Sequence, residues 1–219
     1  MTTDFFRRLS LHLGLCFLLL APLTAARAGT LLVLGDSISA AYGLEQADGW
    51  VELLQSRLEE AGEAVKVVNA SVSGETTSGG LARLPRLLDE HKPRWMILEL
   101  GGNDGLRGYP PQALQRNLQR MIRLAQDEDV EVLLLGMRMP PNYGQAYTEA
   151  FAGVYPKVAE AEQVPLVPFF LEPIALKEGA MQTDGIHPTA EAQPALLDHV
   201  WPCVQQLLEE GVNTESCTP

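Results

Sequence analysis

Apolar residues in this chain fall into two kinds of run that alternate along its length. Short blocks at 30–35, 65–68, 95–100, 132–135 and 166–167 are nearly continuous in Val, Ile, Leu, Met and Trp. Their length and composition predict strands buried on both faces. Between them, apolar positions recur every three or four residues among charged ones, as amphipathic helices require. Trp50, Leu53, Leu54, Leu58 and Ala61 form one such stripe, and Leu81, Leu84, Leu87 and Leu88 form another. Thr76 or Thr77 is placed to cap the second helix, and Pro85 inside it threatens its continuity. Pro111 opens a helix to about 126, the spacing predicts one continuous helix over 147–162, and a last one runs over 190–209, bent at Pro194 and Pro202.

Strands that each lead into a helix predict an α/β domain built on a parallel five-stranded sheet. Right-handed crossovers cover both faces of such a sheet, and ligands bind at the carboxyl ends of its strands. Neither an internal repeat nor a linker interrupts the alternation.

The start of the chain departs from this pattern. Arg7 and Arg8 precede an apolar stretch over 9–23 that ends in Ala26, Arg27 and Ala28. A basic start, a short apolar run and a small-x-small exit predict a secretory signal over 1–28, cleaved after Ala28. The run is shorter than the ~20 residues a membrane span needs. What remains, 29–219, suits one domain with a full core. The whole chain carries a net charge of −12, and loss of a basic leader makes it more acidic still. That balance argues against nucleic acid, or stable insertion in an anionic membrane, as the main partnership. Cys16 leaves with the leader. In an oxidising compartment Cys203 and Cys217 allow a disulfide, preferred here over two free thiols.

The chemistry collects in three segments, each beginning where an apolar run ends. Ser37 follows the first strand, Gly74 the second and Asn103 the third, so a parallel sheet delivers all three to one rim. Asp184 and His187 lie three residues apart with Gly185 between them, a spacing that lets one tight turn bring a carboxylate to an imidazole. That turn must return to the same rim to act on Ser37. Serine needs a base to become a nucleophile, and His187 has few rivals. His12 lies in the leader, His91 ends a polar helix and His199 lies on the last helix. Asp36, beside Ser37, reads as a turn cap. An amide at Asn103, after two glycines, and a backbone N–H at Gly74, at a helix start, would serve an oxyanion. Two other classes stay open on these residues. Asp36, Asp104, Asp184 and His187 could hold a divalent metal for phosphoester hydrolysis, or the rim could belong to a non-catalytic binding module.

Read together, GDSISAAYGL at 35–44, VVNASVSGETT at 67–77, GLARLP at 80–85, ELGGNDGLRG at 99–108, PPNYG at 140–144 and DGIHP at 184–188 resemble the SGNH, or GDSL-type, hydrolase family. They are most similar to its bacterial periplasmic thioesterase, lysophospholipase and arylesterase branch. The resemblance implies a flavodoxin-like three-layer α/β/α sandwich. It also implies a Ser37–His187–Asp184 triad, an oxyanion hole of Ser37, Gly74 and Asn103, and catalysis on small acyl esters or thioesters without metal or cofactor. Ile38 stands where the family name has Leu, and Glu75 where close relatives often have Asp. The segment after Asn103 is expected to form the mouth of the acyl site. There Gly105 and Gly108 act as hinges around Leu106 and Arg107, and Met139 is a neighbour on the same rim. A monomer is expected.

Overall fold

The computed structural model describes residues 28–209. The expected leader and Cys217 therefore lie outside the described residues, apart from Ala28. Strand β1 (Gly29–Gly35) leads to α1 (Trp50–Glu60), β2 (Val65–Asn69) to α2 (Thr77–His91) and β3 (Trp95–Glu99) to a short α3 (Gly102–Leu106). Then come α4 (Pro111–Gln126), β4 (Glu131–Leu135), α5 (Gln145–Ala152), α6 (Val154–Glu162), β5 (Leu166–Val167) and α7 (Gln193–Leu208).

The strands pair in parallel in the order β2-β1-β3-β4-β5, the order of flavodoxin-like sheets. Helices α1 and α7 pack together on one face, and α2, α4 and α6 pack in series on the other. This is the expected three-layer sandwich. Leu31, Leu32, Val33 and Leu34 of β1 are fully buried, as is the whole of β3. That burial explains why these strands read as unbroken apolar runs rather than alternating ones. Among the described residues no helix is long and apolar enough to cross a membrane.

Three expectations change. The helix over 147–162 is divided at Gly153 into α5 and α6. The two halves serve different neighbours: Tyr147 of α5 binds backbone carbonyls near α3, while Glu162 of α6 pairs with Arg123 of α4. Pro85 does not break α2, which stays helical around it. Its buried face of Leu84, Leu87 and Leu88 outweighs the one backbone bond that proline cannot make. The last helix begins only at Gln193, after a 3-10 turn at Ala190–Ala192, so Pro194 falls in its first turn, where no N–H is needed. Thr76 is the cap of α2, its Oγ1 accepting from the Gly79 N–H at 3.3 Å. Cys203 is buried and disulfide-bonded.

Candidate active site

Strand β1 ends at Gly35, opposite Glu99 of β3 in the parallel register. A side chain at Gly35 would come within 2.7 Å of Glu99 Oε2 and of Ser39 Cβ, so only glycine fits. The chain then turns sharply. Asp36 Oδ1 accepts the Ile38 N–H at 3.1 Å, and Ala41 takes a left-handed φ of 55°. This turn leaves Ser37 on the rim, 8 % exposed.

The segment after β5 does return to that rim. Met181 and Pro188 form an isolated antiparallel bridge, closed by Gln182 N–H donating to the His187 carbonyl at 2.7 Å. Gly185 adopts φ 67° inside the turn. Asp184 Oδ1 accepts the backbone N–H of Ile186 at 2.9 Å and of His187 at 3.0 Å. Its Oδ2 stands 2.6 Å from His187 Nδ1, and His187 Nε2 stands 2.9 Å from Ser37 Oγ. Those bonds, the His187 side-chain bond first, hold the Asp184 carboxyl down at about 2. An ionised carboxylate only accepts, so the ring proton sits on Nδ1 and Nε2 is left to accept from the serine hydroxyl. The Tyr42 ring lies over the imidazole, centroids 4.4 Å apart. Gln182 Nε2 ties the two loops by donating to the Tyr42 and Pro188 carbonyls at 2.9 and 3.0 Å.

Asn103 lies in the first turn of α3, a helix the sequence reading did not contain. Gly101 ahead of it has φ 123°, and a side chain there would collide with Tyr155 and Leu114. Asn103 Nδ2 donates to Asp36 Oδ2 at 3.1 Å. Gly74 is not at a helix start. It occupies a turn before the Thr76 cap, closed by Glu75 N–H donating to Val72 O at 3.0 Å, with φ 78°. Its carbonyl accepts from Arg107 Nη2 at 3.0 Å. Val72 N–H donates to Gly35 O at 3.1 Å, which holds this turn beside the serine turn.

The hinge expectation for the segment after Asn103 is corrected. Gly105 and Leu106 belong to α3, and Gly105 is buried against Met139 and Phe151. Only Gly108 has the positive φ of a hinge, 67°. Tyrosines pin the segment: Tyr143 donates to Leu106 O at 3.1 Å and Tyr147 to Tyr109 O at 2.8 Å. Met139 does share this corner of the rim, through its contact with Gly105.

The sequence reading missed Glu99 and gave Asp36 only a capping role. Glu99 is fully buried, and its Oε2 accepts from Ser39 Oγ at 2.7 Å and from Asp36 N–H at 3.2 Å. Burial, reinforced by Asp36, pushes its carboxyl well above the usual range. A charged residue within an apolar strand block was the available signal. Asp36 is 2 % exposed and is pushed up to about 6, chiefly by burial, against its bonds from Ile38 and Asn103. The carboxylates named for a metal do not converge. Asp104 accepts from Thr77 N–H at 2.8 Å, Asp36 faces Asn103, and Asp184 faces His187. No group of three or more His, Cys, Asp or Glu among the described residues is arranged to hold a metal ion.

A cleft of about 320 Å³ lies away from this rim. Its walls include Val130 and Pro165, which precede β4 and β5, at the amino-terminal end of the sheet. It contains none of the groups described above. The site is thus assigned by chemistry and topology, not by the size of a hollow.

Known proteins resemble this chain in sequence and in fold. The chain is 55 % identical over 199 residues to the esterase TesA of Pseudomonas aeruginosa, covering 91 % of this chain and 99 % of that protein. It is 47 % identical over 197 residues to the thioesterase 1/protease 1/lysophospholipase L1 of Escherichia coli, covering 90 % and 93 % respectively. The crystal structure of a psychrotrophic esterase, EstA from Pseudoalteromonas, inhibited by monoethylphosphonate, superposes with a TM-score of 0.79. It is 40 % identical and covers 82 % of this chain and 98 % of that one. Residues 33–194, which hold the serine turn, α3 and the Asp–His turn, match the model of the GDSL-like lipase/acylhydrolase family, and with this fold and these relatives the chain belongs to that family.

Proposed function

We propose that this chain is an exported serine esterase that hydrolyses small acyl esters and thioesters through an acyl-enzyme intermediate. The observation that carries the reading is the unbroken relay from Asp184 through His187 to Ser37, at 2.6 and 2.9 Å. Ser37 Oγ attacks the substrate carbonyl carbon while its proton passes to His187 Nε2, and Asp184 stabilises the imidazolium that forms. The N–H groups of Ser37 and Gly74 and the Asn103 amide bind the oxyanion. Collapse breaks the ester or thioester bond, and the imidazolium protonates the departing alkoxide or thiolate. Water then attacks the acyl-serine with the same histidine as base, releasing the acid and restoring Ser37.

In this reading Leu106, Met139 and the chain around Gly105 contact the acyl group, and Arg107 and Gly108 shape the mouth. No metal or cofactor takes part. The names of the relatives, esterase and thioesterase/lysophospholipase, support the substrate class, and phosphonate inhibition of EstA supports a covalent serine adduct. The basic and apolar start of the chain supports cleavage after Ala28 and a periplasmic location. The acidic surface supports a monomer that acts on small molecules rather than nucleic acid.

Hydrolysis of a p-nitrophenyl acyl ester with excess EDTA, together with mass spectrometry after organophosphate treatment, tests the reading. The wild type should gain one adduct and keep full activity in EDTA. Ser37→Ala should gain none and lose turnover by several orders of magnitude. A Ser37→Ala protein with a tenth of wild-type turnover would overturn it.

A further inference from the structure

Asp36 stands between the serine turn and Asn103, and the proton relay does not use it. Its two oxygens are both spent as acceptors, Oδ1 on the Ile38 N–H at 3.1 Å and Oδ2 on Asn103 Nδ2 at 3.1 Å. The amide of Asn103 is an acceptor on one arm and a double donor on the other, and a half-turn about its last bond exchanges them with almost no change of shape. In one orientation it offers an N–H to a developing oxyanion, and in the other it offers a second oxygen that repels it. The neighbour of the amide decides which. An ionised carboxylate has no proton to give, so it takes an Asn103 N–H and excludes the Asn103 oxygen. That leaves the other N–H of the same nitrogen free for the reacting oxygen.

We propose that Asp36 is a positioning residue that sets the orientation of the Asn103 amide and thereby makes it an oxyanion donor. The inference rests on the serine-hydrolase reading above. The charged and titratable groups around Asp36 suit the role. Glu99 accepts the Asp36 N–H on the β3 side, and burial together with Asp36 disfavours its charged form, so the two carboxyls do not compete equally for negative charge. His187 favours that charge and Asp104 opposes it. Tyr155, its hydroxyl held by the Leu100 carbonyl at 3.1 Å, stays neutral in its buried place.

Asn at this position keeps the shape but not the acceptors. With its oxygen on the Ile38 N–H, an Asp36→Asn side chain must donate to Asn103, and the Asn103 amide turns over to receive it. Ala imposes no orientation. Turnover should therefore fall in the order wild type, Asp36→Ala, Asp36→Asn, although Asn disturbs packing less. Asp36→Asn should lower kcat on the order of 100-fold or more, as loss of one oxyanion donor does, with KM within a few-fold. A merely structural role gives the reverse order, with losses that track the melting temperature.

Where Asp36→Ala does not fold, the Asn variant carries the test in a second background. Added to Asn103→Ala, Asp36→Asn should cost almost nothing further, because the group it acts through is gone. Wild-type kcat in Asp36→Asn, or the same loss with and without Asn103, overturns the proposal. Ser37→Ala assayed alongside separates the two levels. An inactive, unlabelled Ser37→Ala with a normal Asp36→Asn rejects this inference alone, whereas an active Ser37→Ala rejects the reading beneath it.

Discussion

Asp184 and Glu99 are both carboxyls near Ser37, and their surroundings push them in opposite directions. Asp184, bonded to His187 and two backbone N–H groups, is held at about 2, below an ordinary ~3.9. Its stabilising contribution is therefore complete above that ordinary value and fades as pH falls toward 2. Activity lost on acidification above pH 4 must come from other groups. Asp184→Asn should lower turnover on the order of 10³–10⁴-fold, since the amide no longer fixes the tautomer or stabilises the imidazolium. Steady-state ester hydrolysis measures this, and a variant within tenfold of wild type would remove Asp184 from the relay. Glu99 shifts the other way. Its folded value lies well above the usual one, so from ~4.3 upward the native state holds a proton that the unfolded chain has lost, and stability falls as pH rises. Gln at 99 keeps one acceptor for Ser39 and Asp36 but cannot titrate. Between pH 5 and 8 the wild-type melting temperature should therefore decline more steeply than that of Glu99→Gln; equal slopes would show that Glu99 is ionised in the fold. Asp184 and His187 were legible in sequence because three residues make a local turn. Glu99 and Asp36 were not, because their roles depend on the register that sets Gly35 opposite Glu99, which neither strand displays alone.

At the scale of elements, periodicity located α1, α2, α4 and every strand to within a residue or two, because each buries one continuous apolar stripe or block. It failed where tertiary contacts decide. The stripe over 147–162 runs through Gly153 without a gap, yet α5 and α6 answer to different partners. The periodicity predicts no element at 101–105, but this glycine-rich segment forms α3 because Gly101 and Gly105 let it pack closely on Tyr155, Leu114, Met139 and Phe151. That correction changes what a mutation should do. A Cβ at Gly105 would collide with Met139 Sδ and lie 2.8 Å from Phe151 Cε2, and Phe151 is 1 % exposed and has no room to yield. Overpacking of this kind costs ~1–3 kcal/mol, or roughly 2–4 °C in melting temperature per kcal/mol. Because the same shift moves Asn103, Gly105→Ala should slow acetyl and long-chain esters alike. Gly108→Ala meets no neighbour within 4 Å but must hold φ 67°, which costs ~1–2 kcal/mol. Scanning calorimetry and chain-length profiles of both variants test this. A Gly105→Ala protein with wild-type stability, or one impaired only on long chains, would restore the hinge.

For the whole molecule, the strand order places the chemistry. Connections leave β1 toward β2 on one side and reach β3 on the other, so the order in which strands are added reverses between the parallel neighbours β1 and β3, and ligands bind outside the strand ends at such a point. Ser37 and Asn103 flank that crevice, and only the Asp184–His187 turn has to be carried back to it. Helix α7 starts just beyond this turn and descends the far face beside α1. Cys203 therefore lies about three turns, or roughly 15 Å, below the helix start. It is buried and disulfide-bonded. Were Cys217 its partner, as the sequence favours, the closed loop of ~15 residues would contribute ~3 kcal/mol by restricting the unfolded chain. Constraint of that kind acts on the unfolded state and leaves the rim untouched. Reduction should thus lower the melting temperature by on the order of 5–10 °C while ester hydrolysis at 25 °C stays unchanged. Calorimetry and initial rates with and without a phosphine reductant, with thiol titration to confirm opening, make the comparison. Lost activity at 25 °C in a still-folded reduced protein would mean that α7 transmits its anchoring to His187, and an unchanged melting temperature would mean that the bridge does not restrict the unfolded chain.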